Sequence, residues 1–281
     1  MSAMVISYTN SAGSSLVLNS GNYLISTHDL RNFTWDYLAT NRPNGYGGRV
    51  TFKRPVQEKR ISIGIRGASA AAFEANAATL LALTEVDILS GNPGKLYLGS
   101  QYLTCYLSTA SAVNYHSRRG NWVSKELTIV VTEPFWHTEV TQRFLLGAPA
   151  TVDDPKRYTG RYPYRYIAST SSGIVVNPHY APAPMIITVY DAAEDPSITI
   201  GGKVYEVDAT ISAGSRIIIN QLARTVVSMT SVGAVTNLFD YRDKTNDIFA
   251  YIKPGSNTVI YTGDFTFDIT IIQQRSEPTW V

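Results

Sequence analysis

Residues 69–89 read SAAAFEANAATLLALTEVDIL, directly after the run Arg60-Ile61-Ser62-Ile63-Gly64-Ile65-Arg66-Gly67. The two segments carry different periods. Ile61, Ile63 and Ile65 alternate with Ser62 and Gly64, the pattern of a strand with one buried face. In 69–89 there is no Gly or Pro, and Phe73, Ala77, Leu80, Leu81, Thr84 and Ile88 step by three and four, which predicts one face of a helix. Ser69 is placed to cap its start, and Gly91 with Pro93 to stop it. Glu74, Asn76, Glu85 and Asp87 fall on the polar side. One amphipathic helix packed on a sheet is expected.

Period two dominates the rest of the chain. Leu127, Ile129 and Val131 share one face, with Thr128 and Val130 on the other. Ile198 and Ile200 lead into Gly201-Gly202, and Tyr205, Val207, Ala209 and Ile211 follow, which reads as a hairpin because tight primed turns need positive φ. Ile217 and Ile219 follow the Ala213-Gly214 turn, and Val226-Val227 opens another short run. After Pro254-Gly255 come Val259 and Tyr261, and Phe265, Phe267, Ile269 and Ile271 alternate with Thr266, Asp268 and Thr270. Many short strands at this spacing predict sandwiches or barrels. The fold class is therefore mainly β. An N-terminal α+β domain, a sandwich- or barrel-like sheet with one helix, is expected over 1–140. A Pro-rich, polar linker follows over 141–164 and an all-β domain over 165–281. Residues 1–140 carry 12 basic and 9 acidic side chains (net +3), and 141–281 carry 12 and 13 (net −1).

Composition excludes several classes. Charged residues make up 16% of 281, against about 25% in an average soluble domain, while 44% are hydrophobic and 18 are Tyr. Disorder requires the opposite balance. A single cysteine, Cys105, cannot build a disulfide framework, and in the strand-like Tyr102–Leu107 it reads as a small buried hydrophobe. A net charge of +2 argues against nucleic-acid binding through bulk charge. No basic n-region with an apolar stretch opens the chain, and no run of about 18 apolar residues occurs, so synthesis in a cytoplasm without membrane insertion is expected. A surface poor in charge and rich in Tyr points to coverage by other protein.

Catalytic, cofactor and metal patterns are missing. His28, His116, His137 and His179 are scattered, with no HExxH or Cys/His spacing. There is no G-x-S-x-G elbow or GxxxxGK[ST] loop, and Pro43-Asn44-Gly45 before Tyr46-Gly47-Gly48 reads as a turn. Asp191, Glu194 and Asp195 crowd a turn that could attract calcium, but the D-x-D-x-D-G order is absent, and a solvated turn is the simpler reading. Two basic groups stand out: Arg118-Arg119, and Arg157, Arg161 and Arg165 interleaved with Tyr158, Tyr162, Tyr164 and Tyr166. Basic residues with aromatics can stack on single-stranded nucleic acid, but Tyr and Arg are also the types enriched at protein interfaces. Given the small net charge, these nine residues are assigned to protein contact, Arg118 and Arg119 as salt-bridging to a partner.

The order of elements resembles the siphophage distal tail protein (Dit) family. The strand 60–67, the helix 69–89, Gly94-Lys95-Leu96-Tyr97-Leu98 and the strand ending Glu133-Pro134-Phe135-Trp136 carry it in the first half. Tyr162-Pro163-Tyr164-Arg165-Tyr166, Ala183-Pro184-Met185-Ile186-Ile187, Ile198-Thr199-Ile200-Gly201-Gly202, Lys253-Pro254-Gly255-Ser256-Asn257-Thr258-Val259 and Gln274-Arg275-Ser276-Glu277-Pro278-Thr279-Trp280 carry it in the second. The resemblance implies a non-enzymatic structural protein of the virion without cofactor or metal, made in the host bacterium. It implies a ring-forming N-terminal domain, a peripheral galectin-like β-sandwich, and a homohexameric ring at the distal tail. Its implied partners are the tail tube protein, a tail-associated lysin or fibre hub protein, and receptor-binding proteins, with DNA only passing through the channel. Within such a ring, exposed edge strands of 1–140 are expected to pair with the neighbour. The alternative is a carbohydrate-binding adhesion module. Against it, Asn177-Pro178 is followed by His179 without the flanking His and Arg of sugar-binding galectin strands, and Trp280 lies at the end of the chain. A glycoside hydrolase is a third possibility, for which no motif is present.

Overall fold

The computed structural model describes residues 4–43, 45–114, 121–145, 171–190, 192–262 and 264–279. The chain forms two compact units, Met1–Thr138 with Gln274–Val281, and Glu139–Gln273.

The first unit contains β1 (Ile6–Thr9), β2 (Ser15–Val17), β3 (Tyr23–His28), β4 (Asp36–Asn41), β5 (Gly48–Lys53), β6 (Gln57–Arg66), α1 (Ala70–Ser90), β7 (Gly94–Leu98), β8 (Gln101–Asn114), β9 (Trp122–Val131) and the start of β10 (Trp136–Phe144). Its main antiparallel sheet runs β2-β1-β7-β8-β9-β6-β3. The long β8 holds it together, since its first residues pair with β7 and those from Cys105 onward with β9. The alternation read in β6 and β9 is realised: Ile61, Ile63, Ile65, Leu127, Ile129 and Val131 are all buried and join Leu96, Leu103, Cys105 and Trp136 in one core.

The helix α1 closes this core. The Ala72 amide donates to the Ser69 hydroxyl at 3.2 Å, and Gly91 takes the left-handed conformation at the other end, so both cap expectations hold. The buried stripe is rotated from the expected one. Leu80, Leu83, Thr84 and Asp87 face inward, whereas Leu81 and Ile88 are exposed. The helix is apolar almost all round, so the apolar steps alone do not select a face. What selects it is Asp87, expected on the polar side but fully buried. Its carboxylate accepts the Tyr8 hydroxyl and the Ser11 amide, the latter at 2.6 Å. A Cβ on Gly94 would collide with the Tyr8 hydroxyl and lie 2.5 Å from Asp87 Oδ2, so this polar contact also requires a glycine there.

The second unit takes the rest of β10, then β11 (Ser171–Asn177), β12 (Met185–Tyr190), β13 (Ser197–Ile200), β14 (Lys203–Glu206), β15 (Arg216–Asn220), β16 (Thr225–Met229), β17 (Val235–Asn237), β18 (Gly255–Tyr261) and most of β19 (Thr266–Arg275). One antiparallel sheet is ordered β17-β16-β15-β12-β19 and the other β11-β18-β13-β14. Ile187, Ile217, Phe267 and Ile269 from the first meet Ile198, Tyr205, Val259 and Tyr261 from the second, which makes a β-sandwich. The Gly-Gly hairpin forms as read: Ile200 pairs with Lys203 around Gly201 (φ +57°) and Gly202 (φ +82°). Asn257 donates to the Lys253 and Gly255 carbonyls and fixes the turn into β18.

Candidate interaction surfaces

All nine residues assigned to protein contact from sequence, Arg118, Arg119, Arg157, Tyr158, Arg161, Tyr162, Tyr164, Arg165 and Tyr166, lie outside the described residues, as do His116, Asp191 and Trp280. Of the other candidates, His28, Glu194 and Asp195 are exposed, and Cys105, His137 and His179 are buried in structural settings. Cys105 is fully buried, which pushes its thiol pKa up to about 12. His137 is buried against the Tyr102 ring, with Nε2 3.2 Å from Gln274 Nε2. His179 is buried, its ring 4.1 Å from that of Tyr180 and its amide bonded to Asn177 Oδ1. Among the described residues no three metal-ligating side chains come together, and no helix is long and apolar enough to cross a membrane.

Among the described residues the second unit carries a polar network and, elsewhere, a cleft lined by charged side chains. Arg143 grips Asp268 through Nε and Nη2 at 2.7 and 2.9 Å, and the Tyr190 hydroxyl adds a bond of 2.9 Å. The Arg143 hydrogen bonds, foremost, hold the Asp268 carboxyl below its usual range. The cleft, about 370 Å³, is lined by Arg224, Phe239, Arg242, Lys244 and Phe249, with Asp243 and Asp247. Arg242 lies 3.8 Å over Phe239. Both acids are engaged by their own loop, Asp243 with the Thr245 amide and Asn246, Asp247 with the Phe249 amide. The cleft is thus a rigidified turn.

The first unit presents the more unusual surface. Strands β4 and β5 form a separate two-stranded ribbon, and every one of their residues is exposed. Tyr37 pairs directly with Phe52 and Ala39 with Val50, so these four share one face, with the two rings 6.5 Å apart. Tyr37 is 69% and Phe52 61% exposed. A lone two-stranded ribbon is marginal in water, and this one leaves an apolar face uncovered. Its root, by contrast, is clamped. Arg54, just past β5, lies 4.6 Å from the Phe135 ring centroid, 5.2 Å from Trp35 and 6.0 Å from Phe33. Its Nε and Nη1 are buried among the rings without a hydrogen-bond partner, and burial lowers its pKa. Nearby Lys59 is buried and donates to the Asn32 carbonyl. The ribbon is therefore a presented arm on a fixed base.

The outer side of α1 is the second uncovered surface. Leu81, Val86, Ile88 and Leu89 are exposed there, Leu89 at 85%, beside Glu74, Glu85 and small Ala75, Ala78 and Ala82. Next to it a groove of about 140 Å³ runs between Leu81, Glu85 and Ile88 of the helix and Leu107, Ala110 and Leu127 of the sheet. Neither the ribbon nor this face was picked out from sequence. The alternation Tyr37, Ala39 and Val50, Phe52 about the Pro43–Gly48 turn was the available signal.

Comparison with solved structures places this architecture. The fold is shared with phage tail-hub proteins. The Dit protein of phage SPP1, described as a paradigm of the hub adsorption apparatus in phages infecting Gram-positive bacteria, superposes with a TM-score of 0.60 at 14% identity, over 97% of this chain and 99% of that one. Chains of the phage P2 baseplate in its activated conformation, with calcium and with strontium, give TM-scores of 0.62 and 0.63 at 13% identity, over 98% of this chain and 99% of theirs. No protein-family model and no curated protein matches the sequence.

Proposed function

We propose that this protein is a non-enzymatic structural subunit of a phage tail tip, forming a homohexameric ring at the distal end of the tail. The reading is carried by the fold, which follows tail-hub proteins over nearly the full length of both chains. In this reading the first unit builds the ring and the second projects from it. The ring links the tail tube protein to a tail-associated lysin or fibre hub and to receptor-binding proteins, and DNA passes through its channel. The uncovered apolar ribbon and outer helix face of the first unit support it, because a subunit that keeps such surfaces dry needs neighbours. Closed rings use heterologous contacts, in which one patch meets a different patch. Light scattering and negative-stain electron microscopy of the purified protein test the proposal. Sixfold ring particles are expected, and a strict monomer at high concentration would refute it.

A further inference from the structure

We infer that the apolar face of the β4–β5 ribbon docks on the outer face of α1 in a second copy of this chain, and that this pair is the repeating contact of the ring. The inference rests on the ring reading and specifies its interface.

Each half of the contact is incomplete on its own. The ribbon offers Tyr37, Ala39, Val50 and Phe52 on one side with nothing covering them. A helix apolar around its circumference is normally covered on both sides, yet α1 fully buries only Leu80, Leu83, Thr84 and Asp87, with Phe73 partly buried on the same core. Ala75, Ala78 and Ala82 let a flat ribbon approach the helix backbone closely, and the groove beside Leu81 and Ile88 can accept a ring such as Phe52.

The dimensions agree. Six residues of strand span about 20 Å, and the exposed stripe from Glu74 to Leu89 spans about 22 Å. The charges agree as well. Residues 36–53 hold Arg42, Arg49 and Lys53 against Asp36, whereas 70–90 hold no basic residue and expose Glu74 and Glu85. Asp36 faces Lys53 across the ribbon, which leaves Arg42 and Arg49 near the tip. Their long stems can bend round the ribbon edge toward the helix acids. Opposite charge on the two patches favours ribbon-to-helix docking and disfavours ribbon-to-ribbon or helix-to-helix pairing. A contact between two different patches of one chain can repeat until it closes.

The test uses the full chain with Val50→Cys and Ala78→Cys together, treated with a short bismaleimide and run on a denaturing gel. A ladder of covalent species up to the ring size is expected, while either single variant stops at dimer or below. Cys105 is buried and does not contribute. A second arm reverses charge. Arg42→Glu with Arg49→Glu is expected to raise the concentration for half-assembly at least tenfold, and adding Glu74→Lys with Glu85→Lys to restore it. Rings that form normally yet give no ladder and no rescue would overturn this interface, place the ribbon against another tail protein, and leave the ring reading standing. A wild-type chain that stays monomeric would overturn the ring reading itself.

Discussion

Replacing Asp87 tests how the first unit is held together. Its carboxylate sits fully buried in the last turn of α1 and accepts two hydrogen bonds, from the Tyr8 hydroxyl and the Ser11 amide. Bonds to a charged acceptor contribute about 1.5–3 kcal/mol each. Asp87→Ala therefore removes about 3–6 kcal/mol of interaction. Part of that is offset, because the desolvation penalty of several kcal/mol for a buried carboxylate disappears with the group. The net loss is about 2–4 kcal/mol. Asp87→Asn keeps one acceptor of the right shape and loses about half as much. Trp35, Trp122 and Trp136 belong to the first unit and residues 139–273 hold no tryptophan, so tryptophan fluorescence during urea unfolding follows the first unit and not the second. With a slope of about 1–3 kcal/mol per molar urea, the alanine variant should unfold about 1–2 M earlier than wild type, and the asparagine variant between them. An alanine variant within about 0.5 kcal/mol of wild type, the range of ordinary surface substitutions, would refute the buried-acceptor account and return Asp87 to the solvated side of the helix.

Two further outcomes follow from the same kind of accounting. Burial, helped by Asp87, raises the Tyr8 pKa well above 10, and burial pushes Tyr205 up to about 12. The folded protein then keeps protons that the unfolded chain releases above about pH 10, so stability is present below that pH and falls as pH rises beyond it. In urea titrations from pH 8 to 11.5, Tyr8→Phe should flatten the alkaline loss seen by tryptophan fluorescence, and an unchanged slope would contradict this. In the second unit, Gly202→Ala meets no neighbouring atom but is forced to φ +82°, which costs about 1–2 kcal/mol. Gly201→Ala adds a contact of 2.8 Å to Asn257 Oδ1 and should lower the thermal midpoint further, a ranking that circular dichroism can check.

Local patterns carried much of the architecture. Period two in Ile61–Ile65, Leu127–Val131 and Phe265–Ile271 placed buried residues correctly, because a strand has only two faces and one of them was apolar. The helix was legible from 69–89 with its caps, but its orientation was not. A helix apolar on both sides has no unique inward stripe, and the anchor Asp87 looks like a surface residue until Tyr8, 79 positions earlier, is brought beside it. Contacts across such distances leave no local trace. The same holds for the closing residues, where the Thr279 amide donates to Gln101 Oε1 and Arg31 Nη1 to the Pro278 carbonyl. The ribbon is illegible in the sequence for a different reason. Its alternation is as regular as that of a core strand, and sequence does not say that its apolar side faces nothing within the chain.

The route of the chain sets a timetable for its folding. The first unit is split in two, with Gln274–Val281 returning to it after the whole second unit has been made. At about 5–20 residues per second, the intervening unit takes on the order of ten seconds to synthesise. During that interval the leading portion waits without its last piece, while the contiguous second unit can fold at once. The usual amino-terminal-first order is thereby inverted: the second unit can finish folding before residues 274–281 join the first and complete the base on which the ribbon is set.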